Sequence, residues 1–181
     1  MRIIAGTLRG HRLQAPRGRR VRPTGDRMKE SMFSALGGRC IGSCVLDLFA
    51  GSGALGFEAL SRGASHAVFV DKNRASLDAL AENVRALGLE EASAIVRADV
   101  ASYLSGLDSE LRFNLVFADP PFKSSLAQAV LDWWLGCSRR QGSILVLEHP
   151  RAQPPQVTLP ADSLASVKSA SFGESCYSIY I

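Results

Sequence analysis

Five short apolar runs, each set off by a turn, constrain this 181-residue chain more than any other feature. Residues 45–50 form the first run, followed by a helical stretch at 54–62 that Gly63 ends. Residues 67–70 precede an amphipathic stretch at 73–87 ended by Gly88, and residues 93–97 precede a short helix at 100–104. Residues 113–118 precede a helix at 125–135, and residues 143–147 are the fifth run. These runs lack apolar–polar alternation, as strands buried on both faces do. Strand following helix following strand predicts an α/β protein with a mostly parallel sheet covered on both sides. Residues 167–171 and 176–181, around Phe172-Gly173-Glu174, read as a closing antiparallel hairpin. The four prolines from Pro150 to Pro160 mark a connecting loop.

The beginning of the chain differs in character. Residues 1–14 read as a short hairpin with turns at glycine, and residues 15–23 as an exposed loop holding Pro16, Gly18 and Pro23. A helix is expected over about residues 27–36, with Met28, Met32, Phe33 and Leu36 on one face, a cap within Thr24 to Asp26, and an end at Gly37-Gly38. Residues 1–40 hold ten Lys/Arg against two acids, whereas the remainder holds eleven against fifteen. Nine of those ten cations are arginines, whose forked guanidinium suits phosphate. A basic segment on a mildly acidic body reads as a handle for a polyanion. Arg9, Arg12, Arg17, Arg19, Arg20 and Arg22 are the candidates. A solvated arginine-rich surface is the bland alternative. Residues 1–23 are thus expected to be a basic hairpin and arm, belonging to the same domain as residues 24–181.

Composition excludes several classes. With 46% hydrophobic and 21% charged residues, the chain matches ordinary globular proteins. No apolar run approaches the roughly 20 residues of a membrane helix, and the arginine-rich beginning lacks the apolar core of a secretory signal. A cytoplasmic protein without membrane contact is expected. Cys40, Cys44, Cys137 and Cys176 show no zinc-ligand spacing and read as reduced thiols. His11, His66 and His149 form neither a metal nor a triad pattern, so no metal is expected. Trp133 and Trp134 read as core and rim, and Lys123 as a solvated lysine.

Asp47-Leu48-Phe49-Ala50-Gly51-Ser52-Gly53-Ala54-Leu55-Gly56 joins the first run to its helix. Gly51 and Gly53 permit a tight turn that lets a ligand approach the backbone, and the helix N-terminus offers free N–H groups. The stretch also fits G-x-G-x-x-G, with Asp71 twenty residues after Gly51, so a dinucleotide site would look alike. Asp47 favours S-adenosylmethionine over NAD, because a carboxylate there attracts a cationic methionine moiety and repels a pyrophosphate. Asp47, Phe49, Gly51, Ser52 and Gly53 are the candidate cofactor contacts of this turn. Asp71 is placed for ribose hydroxyls under either reading. Asp99, after the third run, suits the adenine amino group, the N-cap of the next helix, or both.

Asp119-Pro120-Pro121-Phe122 stands where the fourth run stops. Asp119 accepts hydrogen bonds, and the prolines contribute carbonyls without N–H groups. Phe122 offers a flat face to a planar ring. Together they describe a pocket for the exocyclic amine of a nucleobase, although Asp-Pro also punctuates strand ends. Asp119, Pro120 and Phe122 are the candidate catalytic residues.

These segments resemble the RsmD family, the bacterial 16S rRNA guanine-N2 methyltransferases of the class I (Rossmann-like) fold. The resemblance covers nearly the whole chain. It begins at Arg2-Ile3-Ile4-Ala5-Gly6 and Arg9-Gly10, and continues through Arg22-Pro23-Thr24-Gly25-Asp26-Arg27 with Glu30. It then takes in the glycine turn, Glu58-Ala59-Leu60-Ser61-Arg62-Gly63 and Asp119-Pro120-Pro121-Phe122. The Arg-Pro-Thr-x-Asp-Arg block is its most family-specific piece. The resemblance implies a seven-stranded sheet with an antiparallel last pair and S-adenosylmethionine as donor. It implies methylation of one guanine N2 in 16S rRNA, on the assembled small ribosomal subunit, by an enzyme expected to be monomeric. Thr24 would border the donor and Arg27 the RNA, although a cap and a surface arginine would look the same. Asp71 stands where the family often has glutamate. Three other readings are a DNA or RNA adenine-N6 or cytosine-N4 methyltransferase, an NAD-dependent oxidoreductase, and a non-catalytic RNA-binding module. The first usually carries Asn and Tyr at the positions of Asp119 and Phe122, with a target-recognition insert for which this chain has no room. For the second, the chain shows no His–Asp or Tyr–Lys pair suited to hydride transfer.

Overall fold

A computed structural model describes residues 1–16, 25–107, 113–122, 125–136, 142–157 and 167–181. Its strands are β1 Cys44–Leu48, β2 His66–Asp71, β3 Ser93–Arg97, β4 Leu115–Ala118, β5 Ile144–Pro150, β6 Val167–Phe172 and β7 Ser175–Tyr180. Its α-helices are α1 Asp26–Leu36, α2 Ala54–Ser61, α3 Arg74–Leu87, α4 Val100–Ser105 and α5 Leu126–Gly136. The strands form one sheet in the order β3-β2-β1-β4-β5-β7-β6. β1 to β5 run parallel, and β7 lies antiparallel to both β5 and β6. The chain begins near the middle of the sheet at β1, fills one side through β2 and β3, then returns to β4. Connections therefore diverge between β1 and β4, which opens a crevice at the carboxyl ends of those strands.

Consecutive strand residues face opposite layers. Val45, Leu115, Phe117, Ile144 and Val146 join a core with Phe33, Phe57 and Leu80. Leu46, Val116, Leu145 and Leu147 join the other, with Leu104, Leu131 and Trp134. Phe33 and Phe117 meet at 5.5 Å between ring centroids, and Trp134 Nε1 donates to Ser143 Oγ at 3.0 Å. Trp134 is thus core and Trp133 half-buried. Cys40, Cys44 and Cys176 are free thiols, and burial pushes Cys40 up to about 11. Cys137, Lys123 and Pro160 lie outside the described residues.

Several boundaries move for local reasons. The first strand ends at Leu48 rather than at residue 50, because Phe49 takes φ 58° and starts the turn. The fifth strand runs past residue 147 to Pro150, because β7 pairs with it as far as Pro150 and Ser175. Its polar end is accommodated there, with His149 Nε2 at 2.9 Å from Ser178 Oγ. Helix α1 starts at Asp26 with Gly25 as its N-cap and no side-chain cap. Asp26 pairs instead with Arg2 at 2.9 Å, and Thr24 lies outside the described residues.

The N-terminal hairpin is present, closed by one antiparallel bridge between Arg2 and Arg12. What attaches it to the body is a buried carboxylate that sequence reading missed. Glu58 on α2 accepts from the Ile4 and Ala5 N–H groups at 2.8 and 3.1 Å, and from Arg62 Nε at 2.8 Å. Lys29 Nζ approaches Glu58 at 3.3 Å and donates to the Arg2 carbonyl at 2.6 Å. Lys29 and Glu58 are fully buried, and burial drives the lysine pKa below its ordinary value against the pull of Glu58. Gly6 has φ 86°, and a Cβ there would be driven into the Ser61 carbonyl.

Removing one partner of a buried ion pair strands the other. Glu58→Ala is expected to lower unfolding stability by about 3–5 kcal/mol in urea titrations. A loss below about 1 kcal/mol, the scale of an exposed pair, would mean that Glu58 does not anchor the hairpin.

Candidate active site

The crevice at the switch point is a cavity of about 660 Å³, within the range of small-molecule sites. Acids from successive strand ends line it in sheet order. Asp99 follows β3, Asp71 ends β2, Asp47 lies in β1, Asp119 follows β4 and Glu148 lies in β5. Phe49, Gly51, Ser52, Pro120, Pro121 and Phe122 complete much of the wall.

The glycine turn is held by two of these carboxylates. Asp47 Oδ2 accepts from the Gly56 N–H at 2.9 Å, and Asp71 Oδ2 from the Gly51 N–H at 3.0 Å. Asp71 Oδ1 accepts from the Asn73 N–H at 2.8 Å. Phe49 is the one non-glycine with positive φ among the described residues, a strained conformation of the kind found at functional sites. The three glycines do different work. Gly51 has φ 58° and faces the cavity, where a Cβ would meet little. Gly53 does not line the cavity; a Cβ there would collide with Phe57 and Leu80. Gly56 lets α2 close onto Phe69 of β2.

Asp47 is buried, and burial is the main reason that its carboxyl is pushed up to about 8. The Gly56 hydrogen bond opposes that rise and the Asp71 charge adds to it. Asp99 does cap α4, accepting from the Ala101 N–H at 3.0 Å. Its other oxygen meets Lys72 Nζ at 3.0 Å, and this exposed pairing holds its pKa below the usual carboxylate range. Ser76, fully buried on α3, lines the same cavity, and its hydroxyl has no hydrogen-bond partner among the described residues.

This lining fits a cationic, hydroxyl-bearing ligand. Five carboxylates and one lysine suit a sulfonium and its amino group, and Ser76 offers an unused polar group to the same ligand. A pyrophosphate would meet repulsion from Asp71, which lines the same cavity.

Of the residues expected here, Gly53 stands behind the wall, and Arg9, Arg12 and Arg27 are exposed outside the cavity. Thr24, Arg17, Arg19, Arg20 and Arg22 lie outside the described residues. Pro16, the last described residue before them, lines the cavity. Sequence reading missed Glu148, Ser76 and Asn83. Asn83 exchanges hydrogen bonds with the Gln14 backbone at 2.7 and 3.1 Å and donates to the Ser52 carbonyl at 3.0 Å. It thereby ties the N-terminal segment to the glycine turn. Glu148 escaped because the apolar run ends at Leu147.

A family model described as "Conserved hypothetical protein 95" matches residues 1–181. The chain is 35% identical over 184 residues to "Putative rRNA methyltransferase YlbH" of Bacillus subtilis (strain 168), across 99% of this chain and 98% of that protein. It is 38% identical over 132 residues to "Ribosomal RNA small subunit methyltransferase D" of Escherichia coli (strain K12), across 73% of this chain and 65% of that one. The solved structure of "Putative methyltransferase yhhF from Escherichia coli" matches with a TM-score of 0.81 at 33% identity, covering 99% and 96% of the two chains. Sheet order, glycine turn and acid-lined crevice are those of the class I methyltransferase fold. Within that class, the chain belongs to the RsmD family of rRNA methyltransferases.

The buried Asp47 also makes stability depend on pH. Its folded-state pKa lies above its unfolded value, so its contribution is complete below about pH 4 and lost as pH rises through about 8. Asp47→Asn is expected to lose less stability than the parent between about pH 5 and pH 9 in urea titrations. Parallel losses in the two proteins would exclude Asp47 as the titrating group.

Proposed function

We propose that this protein transfers a methyl group from S-adenosylmethionine to the exocyclic N2 of a specific guanine in 16S rRNA, acting as a monomer on the assembled small ribosomal subunit in the cytoplasm. One observation carries the reading. A single cavity runs from Asp71 and Asp99, past the glycine turn, to Asp119-Pro120-Pro121-Phe122. Donor and amine can therefore meet in one space. The names of the relatives support an rRNA substrate.

S-adenosylmethionine, when bound, supplies a methyl carbon on a cationic sulfur. Asp47 and the backbone of Gly51 and Ser52 would hold its methionine end, Asp71 its ribose and Asp99 its adenine amine. In-line displacement demands alignment more than acid–base strength. Asp119 and the Pro120 carbonyl would accept the two N2 hydrogens, turning the nitrogen lone pair toward the methyl group. The same carboxylate would stabilise the positive charge developing on nitrogen as the N–C bond forms and the S–C bond breaks, and one N2 proton would then pass to solvent. Phe122 would stack on the extruded base, contributing roughly 1–3 kcal/mol. Extrusion itself costs a few kcal/mol, least for an unpaired base.

Among the described residues, no helix is long and apolar enough to cross a membrane, and no group of three His, Cys, Asp or Glu side chains is arranged to hold a metal. The basic N-terminal segment, residues 1–23, would grip RNA phosphates beside the cavity, with Arg27 joining from α1 and Thr24 bordering the donor. Pro16 in the cavity wall supports that location.

Radiolabelled donor and small subunits lacking the modification test the reading, followed by nucleoside analysis of the digested RNA. N2-methylguanosine is the expected product; N6-methyladenosine, N4-methylcytidine or absence of label would refute it. Asp119→Ala should lower kcat by about 10²–10³ while donor affinity stays within about twofold. Unchanged turnover would remove Asp119 from this role. Replacing Arg9, Arg12, Arg19 and Arg20 by alanine should weaken RNA binding and flatten its dependence on salt. An unaltered salt slope would mean that these arginines are solvated surface.

A further inference from the structure

Ser52, in the glycine turn, is held from two sides by the N-terminal segment. Asn83 on α3, with 1% of its surface exposed, commits its whole side-chain amide. Its oxygen accepts from the Gln14 N–H at 2.7 Å. Its two amide hydrogens go to the Gln14 carbonyl at 3.1 Å and the Ser52 carbonyl at 3.0 Å. The Ser52 hydroxyl donates to Met1 Sδ at 3.5 Å, and the Met1 carbonyl accepts from the Leu13 N–H at 3.0 Å. Ser52, Met1 and Pro16 all line the cavity. The segment that carries Arg9 and Arg12 thus also supplies part of the cavity wall.

Each end of this bridge depends on the other. Without Gln14 the Asn83 amide keeps one of its three partners, and a buried amide short of partners is costly. The side chain then loses the fixed orientation from which it holds the Ser52 carbonyl. Conversely, a glycine turn ordered by the methyl donor fixes Asn83 in the orientation that Gln14 needs. We propose that Asn83 is a positioning residue that couples the grip of the basic segment on RNA to the seating of the methyl donor, so that each substrate tightens the binding of the other. Arg12 stands two residues before Gln14 and bridges to Arg2 across the hairpin. Phosphates held by Arg9 and Arg12 therefore restrain the strand that leads to Asn83. This rests on the reading of residues 1–23 as an RNA handle and extends it to the donor site. Such coupling is reciprocal, because linkage makes each ligand change the other's affinity by one factor.

Equilibrium dialysis of radiolabelled S-adenosylhomocysteine, the demethylated donor, measures the coupling without turnover. Its affinity is compared for the protein alone and for the protein bound to small subunits lacking the modification. The parent should bind this probe at least about fivefold tighter in the complex, and saturating probe should tighten subunit binding by the same factor. In Asn83→Ala the factor should fall below about twofold. A factor near one in the parent overturns the proposal, and so does a factor that Asn83→Ala leaves unchanged. A merely structural role gives that second result, since probe affinity then drops alike with and without subunits. Direct contact between base and donor gives it too. Should Asn83→Ala fail to fold, Gln14→Pro cuts the bridge at an exposed residue by removing the N–H that Asn83 accepts. An unchanged factor there overturns the proposal as well. Subunit affinity separates this inference from the reading beneath it. Undiminished subunit binding after Arg9 and Arg12 are replaced by alanine sinks the RNA handle and the coupling together. Subunit binding that does need those arginines, with a factor near one, sinks the role of Asn83 alone.

Discussion

Two carboxylates that grip one backbone turn underlie the rest of this structure. Asp47 and Asp71 each accept from an N–H of the segment joining β1 to α2, at Gly56 and Gly51. Their hold fixes the positive φ at Phe49, Gly51 and Gly53 and so sets the cavity floor. Burial makes the charged form of Asp47 unfavourable. The turn is therefore built around a buried acid, and part of the folding free energy goes into maintaining that arrangement.

The same turn is braced from behind by the N-terminal segment. Asn83 joins the Gln14 backbone to the Ser52 carbonyl, while Glu58 joins Ile4 and Ala5 to α2. The basic segment is thus anchored to the body through its backbone, which leaves Arg9 and Arg12 exposed to solvent. Arginine charge and local rigidity coexist because backbone N–H groups, rather than the guanidinium groups, satisfy the buried carboxylate. Arg62 is the exception, since it meets Glu58 and also lies 4.8 Å over the Phe33 ring.

Parallel topology turns a set of scattered acids into one surface. Asp47, Asp71, Asp99, Asp119 and Glu148 are widely spaced along the chain, yet each stands at or near the carboxyl end of its own strand. In sheet order they run from β3 to β5 and divide the cavity into successive zones. One end, at Asp99 and Asp71, is polar and rich in backbone hydrogen bonds. The other, at Asp119, Pro120 and Phe122, combines acceptors with an aromatic face. A continuous strip of this kind suits an elongated cationic ligand that meets a planar partner at one end.

Much of this was legible beforehand, because strand and helix runs, glycine turns and acids at strand ends are local patterns with local causes. The amino-acid order by itself determined the strand–helix alternation, the Asp47–Gly56 turn, the capping by Asp99 and the character of Asp119-Pro120-Pro121-Phe122. Other features depended on partners distant in the chain. Glu58 reads as an ordinary helix acid until Ile4, Ala5 and Lys29 are folded against it. Gly53 reads as a turn glycine until Phe57 and Leu80 are folded into the space a Cβ would need. Glu148 lies beyond the apolar run and enters the sheet because β7 pairs with β5 through its polar end. The tertiary structure alone decided these roles, since a buried polar group is defined by the donors and acceptors brought to it, and chain order does not specify which distant ones arrive.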